Sequence, residues 1–371
     1  MELRLRGSEA EYTTWKMEPH KPGKLFWVPR ITGKIKLTSK KIKISAPYRT
    51  EPAIIDLSRM MPAYRKGAQY GGGAVTIAIK PRINIDINIL YGRNKIVIEN
   101  TDRKLIVEHA IRLFQKLINA DFSVKVHVDE NLRLQHMGVG STGTLFTSLI
   151  FGLNELFNRP FSLTDLAKFV SLHYSEESNK KTLLPALTTG GSFWNAIRGG
   201  INVVGGDFQP VFSSKLPADW SGLLILAKFT QTSTSYDEQP ELKIMDIVRH
   251  CDRFDAGKIA YWVLMDLVPA IVHQDLAKCG EIFWNLHLNT IRDYPPMIST
   301  GLYNLFTSML ELRYKYEFSI VYLSSAGPSI IVIDKKDKIA KMLPVLKKDL
   351  RNDYKIINIV LDNQGIVTKK Y

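Results

Sequence analysis

The strongest local constraint in the chain lies between Leu134 and Phe157, LQHMGVGSTGTLFTSLIFGLNELF. A short loop of glycines and hydroxyl residues runs straight into an apolar helix, with Leu145, Leu149, Leu153 and Leu156 at helical spacing. Three glycines, Gly138, Gly140 and Gly143, allow positive φ and close approach of the backbone to a ligand. Ser141, Thr142 and Thr144 add hydroxyl donors. The helix that follows points its N-terminal amides and partial positive charge back at the loop. Such a junction can cradle a phosphate; it can also be a glycine-rich turn that only links strand to helix. It fits neither the Walker pattern nor GxGxxG in a βαβ frame.

Around this junction the chain supplies strands first and helices later. ITGKIKLTSKKIKIS, from Ile31, alternates around Ile35, Leu37, Ile42 and Ile44 and predicts β-structure. INIDINIL places Ile83, Ile85, Ile87 and Ile89 on one face, and YGRN turns the chain into a second strand, KIVIEN. Thr101 and Asp102 offer caps for a helix carrying Leu105, Ile106, Leu113, Leu117 and Ile118, and the alternating FSVKVHV follows it. From Trp220 come the apolar strand GLLILAKF, helical segments from about Leu242 to Tyr316 and the strand FSIVYL. A helix with Ile339, Met342, Leu346 and Leu350, the strand KIINIVL and the turn DNQG end the pattern. Few βαβ crossovers occur, so an α+β fold in two lobes is expected. Residues 1–44 read as an extension, partly β, packed on the main body; 45–219 form a first lobe with the loop, and 220–371 a second.

Composition narrows the class. The 371 residues are 45% hydrophobic and 23% charged, as in a globular chain. The opening MELRLRGSEAEY has no apolar core, and no run of about 18 apolar residues occurs, so a cytoplasmic protein with no membrane partner is expected. Cys251 and Cys279 are too few for a disulfide framework and read as core fillers; the eight histidines form no HExxH pair. A formal charge of +14 can serve nucleic acid, a membrane surface or a polyanionic small molecule. The basic runs Lys34–Lys43 and Lys335–Arg351 lack interleaved aromatics, and no nucleic-acid-binding motif occurs. The runs therefore read as solvated faces, with no nucleic-acid partner, and a substrate with several phosphate charges better explains the surplus.

Several stretches, in order, resemble the GHMP kinase superfamily, whose second motif is a glycine-serine loop opening a long helix. Within it they resemble the β-ribofuranosylaminobenzene 5′-phosphate synthases, and related C-glycoside synthases, more than the kinases. The stretches are APYRTEPAIIDLS (Ala46 to Ser58) followed by YGGGAVTIAI, then HMGVGSTGT, GGINVVGGD (Gly199 to Asp207), LMDLVPAIVHQDLAKCGEIF (Leu264 to Phe283) and YLSSAGPSIIVI (Tyr322 to Ile333). Together they span residues 45 to 371. The chain departs from the synthase pattern at Arg49-Thr50-Glu51, where that family reads RxH, and at Thr189-Gly190-Gly191-Ser192, where it reads SGIG. Bulky Phe193 and Trp194 follow, so the acceptor pocket is expected to differ; they either line it or fill the core.

The resemblance implies a two-lobed GHMP-kinase-like fold and a decarboxylating phosphoribosyltransferase. It would join the anomeric carbon of phosphoribosyl pyrophosphate to the ring of 4-aminobenzoate, releasing pyrophosphate and carbon dioxide, as a step toward methanopterin. Mg2+ is the implied cofactor, and a homodimer the general expectation for such enzymes. The alternatives are a C-glycoside synthase for a heteroaromatic acceptor, an ATP-dependent small-molecule kinase, and an inactive ligand sensor. Kinases of the superfamily carry a catalytic aspartate seven residues before a glycine pair; counting back from Gly199-Gly200, this chain has Ser192. A serine hydroxyl is no base near neutral pH without its own activator.

Carried onto this chain, Gly138, Gly140, Ser141, Thr142, Gly143 and Thr144 are the phosphate-binding residues. Arg49 and Arg198 are anion clamps, because a guanidinium fork matches phosphate geometry. Asp56 serves the sugar or, through magnesium pyrophosphate, the metal. His136, Ser192, Asp207, Ser324, Ser325 and Gly327 are expected against substrate. Each also has a plain structural reading: a packed histidine at His136, a capped turn at Asp207, an ordinary turn at SSAGPS.

Overall fold

Two long strands organise the sheet. β1 (Lys41–Ile54) and β2 (Ala74–Leu90) pair antiparallel from Lys41 opposite Asn88 to Ile54 opposite Ala74. β2, at 17 residues, is long enough to take three further partners in turn. Its start pairs with β7 (Ile201–Val204), its middle with β12 (Tyr354–Leu361) and its end with β4 (Ser123–Glu130). The burial of β2 follows its surroundings: Ala74 to Ile79 are buried without alternation, whereas Ile83, Ile85 and Ile87 alternate with more exposed residues. The computed structural model describes residues 18–56, 59, 71–92, 94–130, 134, 137–178, 181–186, 189–227, 255–291, 302–325, 329–350 and 353–371.

Among the described residues the main sheet has 11 strands. With β9 (Trp220–Ala227), β10 (Ile320–Leu323), β11 (Ser329–Lys335) and β13 (Val367–Lys370), its path runs β10-β11-β9-β12-β2-β1-β13. β3 (Ile96–Glu99) adds to β4, and β8 (Pro210–Ser214) to β7. β5 (Ser175–Ser178) and β6 (Thr182–Pro185) form a separate hairpin. The helices α1 (Lys104–Leu117), α2 (Ser141–Leu156), α3 (Leu163–His173) and α4 (Gly191–Arg198) belong to the first half. Leu145, Leu149, Leu153 and Leu156 of α2 are all buried in the main core. A Cβ at Gly152 would overlap Ile44 Cδ1, so glycine there lets α2 lie directly on β1. In the second half, helical residues 255–272 include a π-helical stretch, Trp262–Leu267, and Leu276–Ile291, Leu302–Leu310 and Lys336–Asp349 are α-helical. Helices and a largely antiparallel sheet make the α+β fold expected.

The expected strand from Ile31 forms only from Lys41 onward. Residues 31–39 alternate but have no strand to pair with. Instead their N–H groups reach carbonyls at and beyond the end of α2: Thr32 donates to Pro160 O (2.8 Å) and Thr38 to Leu156 O (2.8 Å). The last carbonyls of a helix have no partner within it, and this segment supplies one. Ile31, Ile35 and Leu37 are exposed. Of the expected helical region, 242–254 and 292–301 lie outside the described residues, as does Cys251. Cys279 is a buried free thiol, pushed up to about 12 by burial. Among the described residues no helix is long and apolar enough to cross a membrane.

Residues 18–30 are strapped onto the body through neutral histidines. Gly23 N–H donates to Nδ1 of buried His109 (2.8 Å), whose Nε2 donates to His173 O (3.1 Å). Phe26 N–H donates to Nε2 of His173 (2.8 Å), whose Nδ1 donates to Phe169 O (2.8 Å). Burial lowers His109 to about 3 and His173 to about 4, with His20 and, for His109, Lys116 adding positive charge nearby. Both are depressed below the unfolded value near 6.5, so the unfolded chain binds the extra protons and stability falls as pH drops below that value. At pH 5.5 the expected loss is on the order of 1 kcal/mol per histidine, hence a few kcal/mol for the pair. Urea midpoints at pH 7.5 and 5.5 for the wild type and the double variant His109→Gln/His173→Gln isolate this pair from other groups that titrate in the window, and the histidine contribution to the slope should vanish in the variant.

Candidate functional site

The loop before α2 turns its carbonyls toward protein and leaves its amides free. Gly138 and Gly140 have φ of 71° and 59°, the left-handed region open to glycine. Met137 O accepts Ser329 Oγ, Gly138 O accepts Ser324 Oγ (2.7 Å) and Val139 O accepts Arg49 N (3.2 Å). Among the described residues, none of the N–H groups of Gly138, Val139, Gly140, Ser141, Thr142 and Gly143 donates to protein; the first that does is Thr144, to Gly140 O (2.9 Å). Free amides at a helix N-terminus make an anion site, with the helix dipole adding to it.

Arg49 closes one side of this cradle. A Cβ on Gly140 would lie 2.5 Å from Arg49 Cγ, so glycine is required there by contact as well as by φ. The guanidinium is held in place: Nε donates to Ser192 Oγ (2.7 Å), and Nη1 lies 2.9 Å from Glu51 Oε2. Glu51 is buried, and its Oε1 accepts Thr189 Oγ1 (2.7 Å). Ser192, the second residue of α4, thus stands beside the loop, and a Cβ on Gly143 would lie 2.5 Å from its hydroxyl. Ser192 presents a hydroxyl to the loop, hydrogen-bonded to Arg49.

Behind the loop lies a carboxyl that sequence reasoning missed. Thr142 Oγ1 donates to Glu176 Oε2 (3.2 Å), Tyr174 OH to Glu176 Oε1, and Arg103 Nη1 to Thr142 Oγ1 (3.4 Å). Arg103 is itself paired with Glu130. Burial raises Glu176 to about 7, against the pull of Tyr174, Arg103 and Thr142. No group of three or more His, Cys, Asp or Glu side chains suited to a metal occurs among the described residues. Magnesium bound through phosphates needs fewer: one hydroxyl and one carboxylate, both hard oxygens, are enough. Thr142 and Glu176 fit that role, since a cation would compensate a carboxylate that burial otherwise disfavours.

The remaining expected residues lie in several places. Asp56 is beyond the end of β1, its N–H donating to Gly72 O (2.9 Å) and its carbonyl accepting Arg59 N (3.4 Å). Arg198 is exposed at the far end of α4, stacked on Trp194 at 4.8 Å and donating to Ser213 Oγ (2.9 Å). Gly191 and Arg198 are the first and last of the 8 residues of α4, roughly 10 Å apart along its axis, which carries the side chain away from the cradle. Asp207 Oδ1 accepts Gln209 N (3.1 Å), a turn contact. Ser324 Oγ accepts Glu51 N (3.0 Å) while bracing Gly138, and Ser325 N–H donates to Glu51 O (2.9 Å). Thr144 is buried. Phe193 and Trp194 fill the core, with Trp194 Nε1 donating to Phe208 O (2.7 Å). His136 and Gly327 lie outside the described residues.

The close fit of Gly143 against Ser192 has a direct test. Gly143→Ala should destabilise the fold by about 1–3 kcal/mol through overpacking, despite alanine's better helix propensity. Ser192→Gly in the same chain removes the clash and should restore most of the loss, read as urea midpoints of the two variants.

Residues 104–182 match the family model of the GHMP kinases N terminal domain, a segment that contains α1, the loop, α2, α3 and Glu176. A comparison with curated proteins gave no match. Homoserine kinase from Cytophaga hutchinsonii ATCC 33406 is similar over 91% of this chain and 100% of its own, at 14% identity and TM-score 0.57. Mevalonate diphosphate decarboxylase from Enterococcus faecalis is similar over 90% of this chain and 100% of its own, at 14% identity and TM-score 0.61. A third, MDDEF in complex with MVAPP, AMPPCP and magnesium, covers the same shares at 14% identity and TM-score 0.60. At such identities the likeness is one of fold. The chain has the GHMP-kinase-like α+β fold, and its residues 104–182 are similar to the GHMP kinases N terminal domain.

Proposed function

We propose that this chain is a transferase that holds magnesium pyrophosphate in the cradle at Gly138–Gly143 as a leaving group. The donor is phosphoribosyl pyrophosphate, and the acceptor a carboxylated aromatic such as 4-aminobenzoate. The bond from the anomeric carbon to pyrophosphate breaks, a bond to the ring carbon bearing the carboxylate forms, and carbon dioxide leaves to restore aromaticity. The observation that carries this reading is Ser192. It sits at the cradle and accepts a hydrogen bond from Arg49, and among the described residues no carboxylate or imidazole is hydrogen-bonded to it. A route in which a departing diphosphate and carbon dioxide drive bond formation needs no strong base there. The free amides would hold the diphosphate oxygens, and Arg49 would orient Ser192 and the loop. When bound, magnesium would supply charge neutralisation of the leaving group.

The second reading is an ATP-dependent small-molecule kinase. It draws on the fold shared with homoserine kinase and on Glu176, a carboxyl titrating near neutrality beside the loop. Both readings use the same cradle, so products separate them. Purified chain with magnesium, phosphoribosyl pyrophosphate and carboxyl-labelled 4-aminobenzoate should release labelled carbon dioxide and pyrophosphate in equal amounts. Pyrophosphate without carbon dioxide would assign a different acceptor. ATP turnover with no response to the ribosyl donor would replace the first reading by the second.

A further inference from the structure

The β5–β6 hairpin carries Glu176 but stands outside the main sheet. Two strands of four residues are at best marginal by themselves, so neighbours must fix where the hairpin lies. The segment before β1 provides much of that support. His20 adds a bridge to the free edge of β6, with His20 N donating to Leu183 O (2.8 Å) and Leu183 N to His20 O (3.0 Å). His20 Nε2 lies 3.1 Å from Ser175 Oγ, at the start of β5. Phe26 and Trp27 N–H groups both donate to His173 Nε2, at 2.8 and 3.3 Å. His173 is the last residue of α3, immediately before Tyr174, whose hydroxyl meets Glu176.

The hairpin in turn reaches α1. Glu177 Oε1 accepts Leu105 N (2.9 Å) and Ile106 N (3.3 Å), next to Arg103. Gly23 N–H is held on α1 itself, by His109. The two side chains that touch Thr142 from behind, Glu176 and Arg103, thus belong to parts of the chain that the segment ties together.

We propose that residues 18–27 are a positioning strap for the phosphate cradle, with His109 and His173 as the positioning residues through which it acts. The strap fixes the hairpin, the hairpin keeps Glu176 on Thr142, and Thr142 fixes the first turn of α2 and its free amides. This rests on the reading of Gly138–Gly143 as a phosphate site.

The test uses the full chain. Gly23→Ala is strained at φ 81° and would put a Cβ 2.7 Å from Arg112 Cβ, so it lifts the strap without touching the cradle. His173→Leu removes the acceptor for Phe26 and Trp27, and His173→Gln retains one. Hydrogen exchange is followed at 175–178, 183 and 144–147, the first hydrogen-bonded amides of α2, and magnesium pyrophosphate affinity by calorimetry. Gly23→Ala and His173→Leu should speed exchange at the hairpin and at the start of α2 by about tenfold. The same two variants should weaken magnesium pyrophosphate binding by about fivefold, with His173→Gln close to wild type. Faster exchange at Phe26 and Trp27 alone, with hairpin and α2 unchanged, would overturn the proposal. Should His173→Leu not fold, Gly23→Ala carries the same comparison. If the wild type takes up no magnesium pyrophosphate, the phosphate reading fails, and the exchange data still decide whether strap and loop are coupled.

Discussion

Six successive peptide N–H groups without a partner among the described residues are the condition on which the site depends. Buried donors left unmade are destabilising, and the first amides of a helix need partners from outside it. The loop can hold them forward only because its carbonyls are taken from behind. Ser324, Ser329 and the backbone of Arg49 each claim one. Two of those three holders come from the second half of the chain, so the cradle of the first half is completed by a turn some 190 residues away in sequence; Ser324 and Gly138 are separated by 186 positions.

The sheet explains how such distant pieces meet. β2 carries β1 along one edge and divides the other among β7, β12 and β4. β12 also pairs with β9, which brings β11 and β10 into the same sheet and so delivers the Ser324 turn to the loop. Arg82, on β2, binds Asp362 and the carbonyls of Ser45 and Gly365, fixing the turn that leads into β13. A buried pair of this kind is costly to break from one side, so the end of the chain is firmly tied to its middle.

Much of this was legible in the sequence where period and local chemistry decide structure. The loop and α2, the alternation in β2 and β4, and the approach of Arg49 and Ser192 to the loop could be read from residue types and motif order. Other features depend on contacts that a local pattern does not encode. Residues 31–39 alternate as a strand would, but their N–H groups bond carbonyls at and beyond the end of α2. Arg198 has the right side chain for a clamp and the wrong place on its helix. Glu176 lies in a four-residue strand of polar residues, SEES, with no period to mark it. Its significance comes from Thr142 across 34 positions and from burial, neither visible in one dimension.

The pairing of the two arginines nearest the loop changes what its charge means. Arg49 is matched by Glu51 and Arg103 by Glu130, so neither contributes a net cation to the cradle. On the reading of this loop as an anion site, the described residues would attract the ligand through oriented amides and a helix end, fixed dipoles that act over a few ångströms. The surplus of +14 is spread elsewhere, on groups such as Lys34, Lys36 and the helix Lys336–Asp349, which face solvent. Salt screens those exposed charges within about 8–10 Å but barely reaches dipoles in contact with their ligand. Ionic strength should therefore govern how fast an anion arrives far more than how tightly the cradle keeps it.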